Sequence, residues 1–270
     1  MVKIGIFDSG VGGLTVVREV KRLLPQVSVI YFGDTARTPY GIKSRKTLIR
    51  YAVEDARFLL SKGADIIIIA CHSAASTASW ELKARLDVPV FEVVSPSVVQ
   101  ACRLTRKGRI GVIGTRATVS SGVYPRLIPE ERMGTEVFQQ ACPLLVPLVE
   151  EGWLDRRETR MIVKRYLRPL KLRQIDTLVL GCTHYPLLRR VIEEKAGRRI
   201  KIVDPSEEVA KSVKAYLEQE RLLDEGRSAQ EAGPPPVDMD RYFVSDLAPH
   251  TSQIVRNFMG RPVRLEEVLL

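Results

Sequence analysis

Histidine and cysteine are scarce: three and four residues among 270. The cysteines stand at 71, 102, 142 and 182, and none forms a CxxC pair. That excludes a zinc ribbon and a thioredoxin-type motif. In a chain of this size read as cytosolic, a disulfide framework is not expected. No run of about 18 apolar residues occurs, so no membrane span is predicted. The opening residues "MVKIGIFDSG" enter a strand-like pattern without the basic, apolar and cleavage segments of a leader. We therefore expect a soluble, cytoplasmic protein. Glycines 10, 12 and 13 do not spell GxGxxG, because position 15 is threonine, so a dinucleotide site is weakly supported. No pyridoxal-binding lysine motif is found either.

Apolar residues make up 45% of the chain and charged residues 27%. This suffices for one large core or two modest ones, with disorder excluded over most of the length. The net charge of +10 attracts anionic metabolites. Nucleic-acid binding is not expected, because the charges are spread along the chain and no recognition motif gathers them.

Short apolar runs alternate with amphipathic segments. Strands are predicted at 3–8, 27–32, 65–70, 88–94, 109–114, 136–141, 177–181, 199–204, 241–246 and around 261–268. Helices are predicted at 14–25, 44–62, after 71 through about Leu86, at 156–168, from near Pro186, at 206–221 and near 249–259. Residues 224–240 read as a polar, proline-rich loop. The alternation argues for α/β layers with mostly parallel sheets. "DIIIIA" (65–70) is apolar on both faces, as in sheets covered by helices.

The pattern also repeats. "KIGIFDSG" (3–10) resembles "RIGVIGTR" (109–116), and "DIIIIACHS" (65–73) resembles "DTLVLGCTH" (176–184). The offsets are 106 and 111 residues, which points to two similar half-molecules. Each ends a central strand on cysteine, where ligands bind in open α/β sheets. Facing halves would set Cys71 and Cys182 across one cleft.

A thiol just before a helix sits in the field of that helix's N-terminus, which favours thiolate. One cysteine on each side of a substrate suits a two-base proton transfer that inverts a carbon. Asp8 and His184 are possible proton partners. The plainer readings are core filler for the cysteines, turn chemistry for Asp8 and an ordinary satisfied polar residue for His184. Core filler is the reading for Cys102 and Cys142. Cys71, His72, Cys182 and His184 are also the residues of a Cys2His2 zinc site. Ligands adjacent in sequence point apart on an extended backbone, which argues against it, and no metal is expected.

"FDSGVGGLTV" (7–16), "YFGDTARTPYG" (31–41), "CPLLVPLVEEG" (142–152) and "LGCTHYPLL" (180–188) resemble the glutamate racemases, within the cofactor-independent aspartate/glutamate racemases. The resemblance runs in order over nearly the whole chain. It implies two pseudo-symmetric flavodoxin-like domains, 1–93 plus 207–270 and 94–206, with the active site between them. It implies cofactor-free interconversion of L- and D-glutamate, supplying D-glutamate for peptidoglycan, and a homodimer. Cys71 would act on the D-glutamate side and Cys182 on the L-glutamate side, assisted by Asp8 and His184, with Glu150 a further acid near Cys182. Ser9, Tyr40, Gly41, Ser73, Thr118 and Thr183 match substrate-binding positions, as do Asp8 and His184. The family usually has Cys-Asn-Thr where this chain has Cys71-His72-Ser73. We expect His72 still to contact substrate and to make the D-glutamate side more pH-sensitive. The alternatives are a racemase of another acidic amino acid such as aspartate, or a non-catalytic binding protein using the same cleft.

Overall fold

The computed structural model describes residues 1–223 and 239–269. Two parallel sheets form its frame. The larger contains β1 (Lys3–Asp8), β2 (Ser28–Gly33), β3 (Ile66–Ile69), β4 (Val90–Glu92), β9 (Arg241–Val244) and β10 (Leu265–Glu267), in the order β10-β9-β2-β1-β3-β4. The smaller contains β5 (Arg109–Gly114), β6 (Glu136–Ala141), β7 (Thr177–Gly181) and β8 (Lys201–Val203), in the order β6-β5-β7-β8.

The repeat read in the sequence is a repeat of register. Ile4 pairs with Val29 on β2 and Ile66 on β3. Ile110 pairs with Val137 on β6 and Thr177 on β7. Ile67 on β3 meets Val90, and Leu178 on β7 meets Ile202. Residues 106 and 111 apart thus hold equivalent places in β2-β1-β3-β4 and β6-β5-β7-β8. This is the flavodoxin-like order, with its switch point beside the first strand of each sheet.

Burial explains the strands. All four isoleucines of β3 are buried, since helices cover both faces of a parallel sheet. The helices on the first sheet include α1 (Leu14–Leu23), α2 (Arg45–Ser61) and α3 (His72–Arg85). Ser44 caps α2 by accepting from Thr47 N–H at 3.3 Å. α10 (Pro205–Gln219) opens on the Asp204 cap with proline in its first turn. It packs on α1 and on α4 (Val94–Leu104), tying the two halves together.

Four helices lie where the pattern gave no assignment: α4, α5 (Arg116–Ser120), α6 (Val123–Glu131) and α7 (Leu145–Glu150). Three of them carry proline (Pro96, Pro125 with Pro129, and Pro147), which hides helical periodicity behind turn-like composition. Around Pro186 the chain makes a 3₁₀ turn, Tyr185–Leu188, before α9 (Arg189–Ala196). α8 (Arg157–Leu172) and α11 (Thr251–Met259) occupy the predicted places. The predicted loop 224–240 lies outside the described residues except for Met239 and Asp240. Among the described residues, no helix is long and apolar enough to cross a membrane.

Candidate active site

Cys71 is two residues past β3 and caps α3; Cys182 directly follows β7. Both lie at the carboxyl ends of their strands and line one cavity of about 220 Å³. That volume is below the range of drug-sized ligands and suits a small metabolite. All four cysteines are free thiols.

On the first wall, Cys71 is 5% exposed and its Sγ donates to Ser9 Oγ at 3.5 Å. Burial pushes its pKa up to about 12, and Asp8 adds to the rise against the opposing bond from Ser9. Cys71 is therefore a protonated thiol at neutral pH. Asp8 lies behind the cavity lining, fully buried at the end of β1. Its carboxylate accepts from Gly10 N–H (3.1 Å) and Thr183 Oγ (3.3 Å). Burial raises its pKa, with His184 pulling the other way. The Thr183 bond joins the first sheet's wall to the second's.

On the second wall, His184 stands between two partners. Nδ1 lies 3.9 Å from Cys182 Sγ, and Nε2 donates to Glu150 Oε1 at 3.0 Å. Burial disfavours the cationic ring, but the bonds to Cys182 and Glu150 outweigh it and raise the pKa to about 10. An imidazolium facing the sulfur stabilises negative charge there. The Cys71 thiol and the Cys182–His184 pair thus line one cavity, each from its own sheet.

Ser73 shares a hydrogen bond with Thr115 across the cleft, Oγ to Oγ1 at 3.0 Å. Gly41 also meets Thr115, whose Cβ would lie 3.0 Å from a side chain added at Gly41. Tyr40 lines the cavity, but its hydroxyl is bound to two buried carboxylates, Asp34 and, at 2.9 Å, Asp55. Arg37 completes this cluster through Asp34 and Asp55. The cluster fixes the loop from Thr38 to Gly41 along the cleft's edge. Among the described residues, no three His, Cys, Asp or Glu side chains converge as a metal site requires.

The comparisons with known proteins agree with this geometry. Residues 9–213 match the family model described as Asp/Glu/Hydantoin racemase. A glutamate racemase of Aquifex pyrophilus is 46% identical over 268 residues, 98% of each chain. The chain belongs to the Asp/Glu/hydantoin racemase family. Among solved structures, a glutamate racemase isoform from Bacillus anthracis superposes with a TM-score of 0.92 at 34% identity, covering 100% of this chain and 98% of its own. A glutamate racemase from Francisella tularensis, solved in complex with D-glutamate, gives 0.89 at 33% identity, with 99% and 97% covered.

Against this family background the sequence reading needs correction at several residues. Cys142 is buried in the core, as expected, and also lines the cleft; it follows β6 directly, as Cys182 follows β7. Cys102 is buried, with its Sγ turned to the Ile128 carbonyl. Thr118 is fully buried and does not line the cavity. Its hydroxyl reaches the cleft only through Thr115 Oγ1, at 3.1 Å. His72 lines the cavity, 3% exposed, with neither ring nitrogen hydrogen-bonded among the described residues. Burial lowers its pKa to about 3, so the ring is neutral throughout the physiological range and the expected pH sensitivity does not follow. Thr115 and Arg116, which are not among the residues expected from the sequence, also line the cavity. Arg116 brings a cation to the second wall.

Proposed function

We propose that this racemase-family chain interconverts L- and D-glutamate by two-base proton transfer between Cys182 and Cys71, supplying D-glutamate for peptidoglycan. Its walls are the half-molecules read from the sequence, 1–93 with the segment from 207, and 94–206. From L-glutamate, the Cys182 thiolate takes the α-proton and becomes a thiol. The electron pair left on the carbon takes the Cys71 proton on the opposite face, and D-glutamate leaves Cys71 as thiolate. The reverse turnover, or proton exchange with water, resets the pair. Asp8 lies near enough for its charge to act on Cys71, and Glu150 holds His184 against Cys182.

The α-proton of an amino acid is weakly acidic, so the developing charge needs preorganised donors in a water-poor site. Ser9, Ser73 and Thr183 bring hydroxyls to the cavity, and the start of α3 brings backbone N–H groups beside Cys71. Arg116 and the His184 cation favour an acidic substrate. The neutral His72 ring has one donor and one acceptor, both buried and without a partner among the described residues, on a residue that lines the cavity. The relatives that match nearly the full chain bear the name glutamate racemase.

One observation carries the reading: two free, buried thiols end equivalent strands of the two sheets and line the same cavity. Circular dichroism should show each glutamate enantiomer converging on the racemate, with aspartate enantiomers unchanged. Cys71→Ala and Cys182→Ala should each abolish the change. Full activity in either variant, or no racemisation by the parent, defeats the proposal.

A further inference from the structure

His184 is held by more than its two hydrogen bonds. Phe258 of α11, fully buried, packs against the imidazole in a T-shaped contact, with ring centroids 5.3 Å apart and planes at 86°. Gly12 approaches from another side so closely that a Cβ there would lie 2.4 Å from His184 Nδ1. α11 also reaches His184's other partner. With the turn after α7 it borders a second cavity of about 370 Å³, lined by Glu150 and by His250, Gln253 and Asn257. A C-terminal helix that follows a strand of the first sheet therefore packs onto the Glu150–His184 pair of the second wall. α11 is fastened to the first half through α1, with Arg18 donating to the Phe258 carbonyl at 3.4 Å.

We infer that Phe258 is a positioning residue for the Cys182 half-reaction, holding the His184 ring in line between Cys182 and Glu150. This rests on the role proposed above for His184. A ring with a sulfur 3.9 Å away on one nitrogen and a carboxylate on the other serves both only in one orientation. The contact to sulfur is long at 3.9 Å, so by itself it holds the ring only loosely against rotation about its Cβ–Cγ bond. Contact with Gly12 and Phe258 restricts that rotation. Edge-to-face aromatic contact at this separation is favourable in its own right. A polar side chain in place of Phe258 would offer the ring nitrogens a competing partner.

The test compares Phe258→Ala with the parent by nitrogen-15 NMR of histidine-labelled protein, which has only three histidines to assign. The charged and titratable groups around His184 are Cys182, Glu150 and Asp8, with Glu151 and His250 beyond Glu150. None is altered by the substitution. The parent ring should stay doubly protonated until about pH 10. In Phe258→Ala the midpoint should fall by about one unit or more, toward the ordinary histidine range. In the racemisation assay kcat should fall about tenfold to a hundredfold, as misplacing a catalytic group by about 1 Å does, with KM within about twofold. Val255→Ala, a buried change on the same helix, should leave the midpoint in place. An unchanged midpoint in Phe258→Ala overturns the inference, as does an equal shift in Val255→Ala. If Phe258→Ala does not fold, Phe258→Leu should shift the midpoint in the same direction by less, and no shift overturns it. A parent that fails to racemise glutamate refutes the proposed function instead, and leaves the NMR comparison to decide whether Phe258 holds the ring.

Discussion

Replacing Glu150 by glutamine tests the Cys182 side of the cleft. Glutamine keeps an acceptor for His184 Nε2 but removes the charge. The Glu150 side chain is 38% exposed, so water screens part of its field. A hydrogen bond to a charged group is worth about 1.5–3 kcal/mol, and one pKa unit is about 1.4 kcal/mol. The His184 pKa should therefore fall from about 10 by about one to two units. The sign follows from the direction of the shift. The fold favours the imidazolium, so the interaction is complete below the ordinary value of 6.5 and is lost as pH rises through about 10. In Glu150→Gln that loss comes about one to two units earlier, and kcat falls earlier on the alkaline side.

Racemisation supplies a sharper readout than rate. The two enantiomers have equal free energies in water, so kcat/KM must be equal in both directions in the parent and in every variant. What can differ is which proton transfer limits turnover. Weakening Cys182 raises the barrier it shares with L-glutamate. The isotope effect on kcat/KM for α-deuterated L-glutamate should then grow, because abstraction by Cys182 becomes more limiting. For α-deuterated D-glutamate it should shrink, because abstraction by Cys71 is no longer the slower step. Circular dichroism from both enantiomers measures this. An unmoved alkaline limb, or isotope effects that rise together, refutes the pairing of Glu150 with the Cys182 step.

Other substitutions probe the cleft from different sides. His72→Leu removes two buried nitrogens without partners, each costing about 1–3 kcal/mol when left unsatisfied; the free protein should melt at higher temperature while KM for glutamate rises, and a lower Tm would contradict the orphaned state. His72→Asn should keep the parent's pH profile between about pH 5 and 8, because the imidazole it replaces is already neutral there; a displaced limb would show that His72 titrates. Tyr40→Phe takes away the hydroxyl that Asp34 and Asp55 share and should cost about 1–3 kcal/mol in urea unfolding; an unchanged midpoint would mean the cluster does not hold the loop. Gly12→Ala places a Cβ 2.4 Å from both His184 Nδ1 and Thr183 Oγ1, and racemisation should fall by about a hundredfold; full activity would show that the ring tolerates displacement.

The repeat is the most legible feature of the sequence, and it reaches beyond the two cysteines. The offset of 106 that relates Ile4 to Ile110 also relates Ser9 to Thr115. Each hydroxyl directly follows the first strand of its sheet and hydrogen-bonds a residue of the first wall's Cys71–Ser73 segment: Ser9 meets Cys71, and Thr115 meets Ser73. Thr115 was thus readable as the counterpart of Ser9, while Thr118, one turn into α5, was not. The offset of 111 relates Cys71-His72-Ser73 to Cys182-Thr183-His184, so hydroxyl and imidazole change places between the two sites. A histidine two residues past its cysteine folds back to meet the sulfur; one residue past, at the first position of α3, it has no partner among the described residues. Sequence neighbours suggest the opposite, because adjacency in the chain looks like contact. The difference lies in the local backbone. Cys71 starts a regular α-helix, whereas Cys182 enters a tight turn in which its N–H bonds the Leu180 carbonyl and Tyr185 N–H bonds its own. Burial then completes the asymmetry. The imidazole facing a thiol and a carboxylate becomes a cation, and the one facing neither stays neutral. The two halves share a frame, and their chemistry separates where a helix in one is a turn in the other.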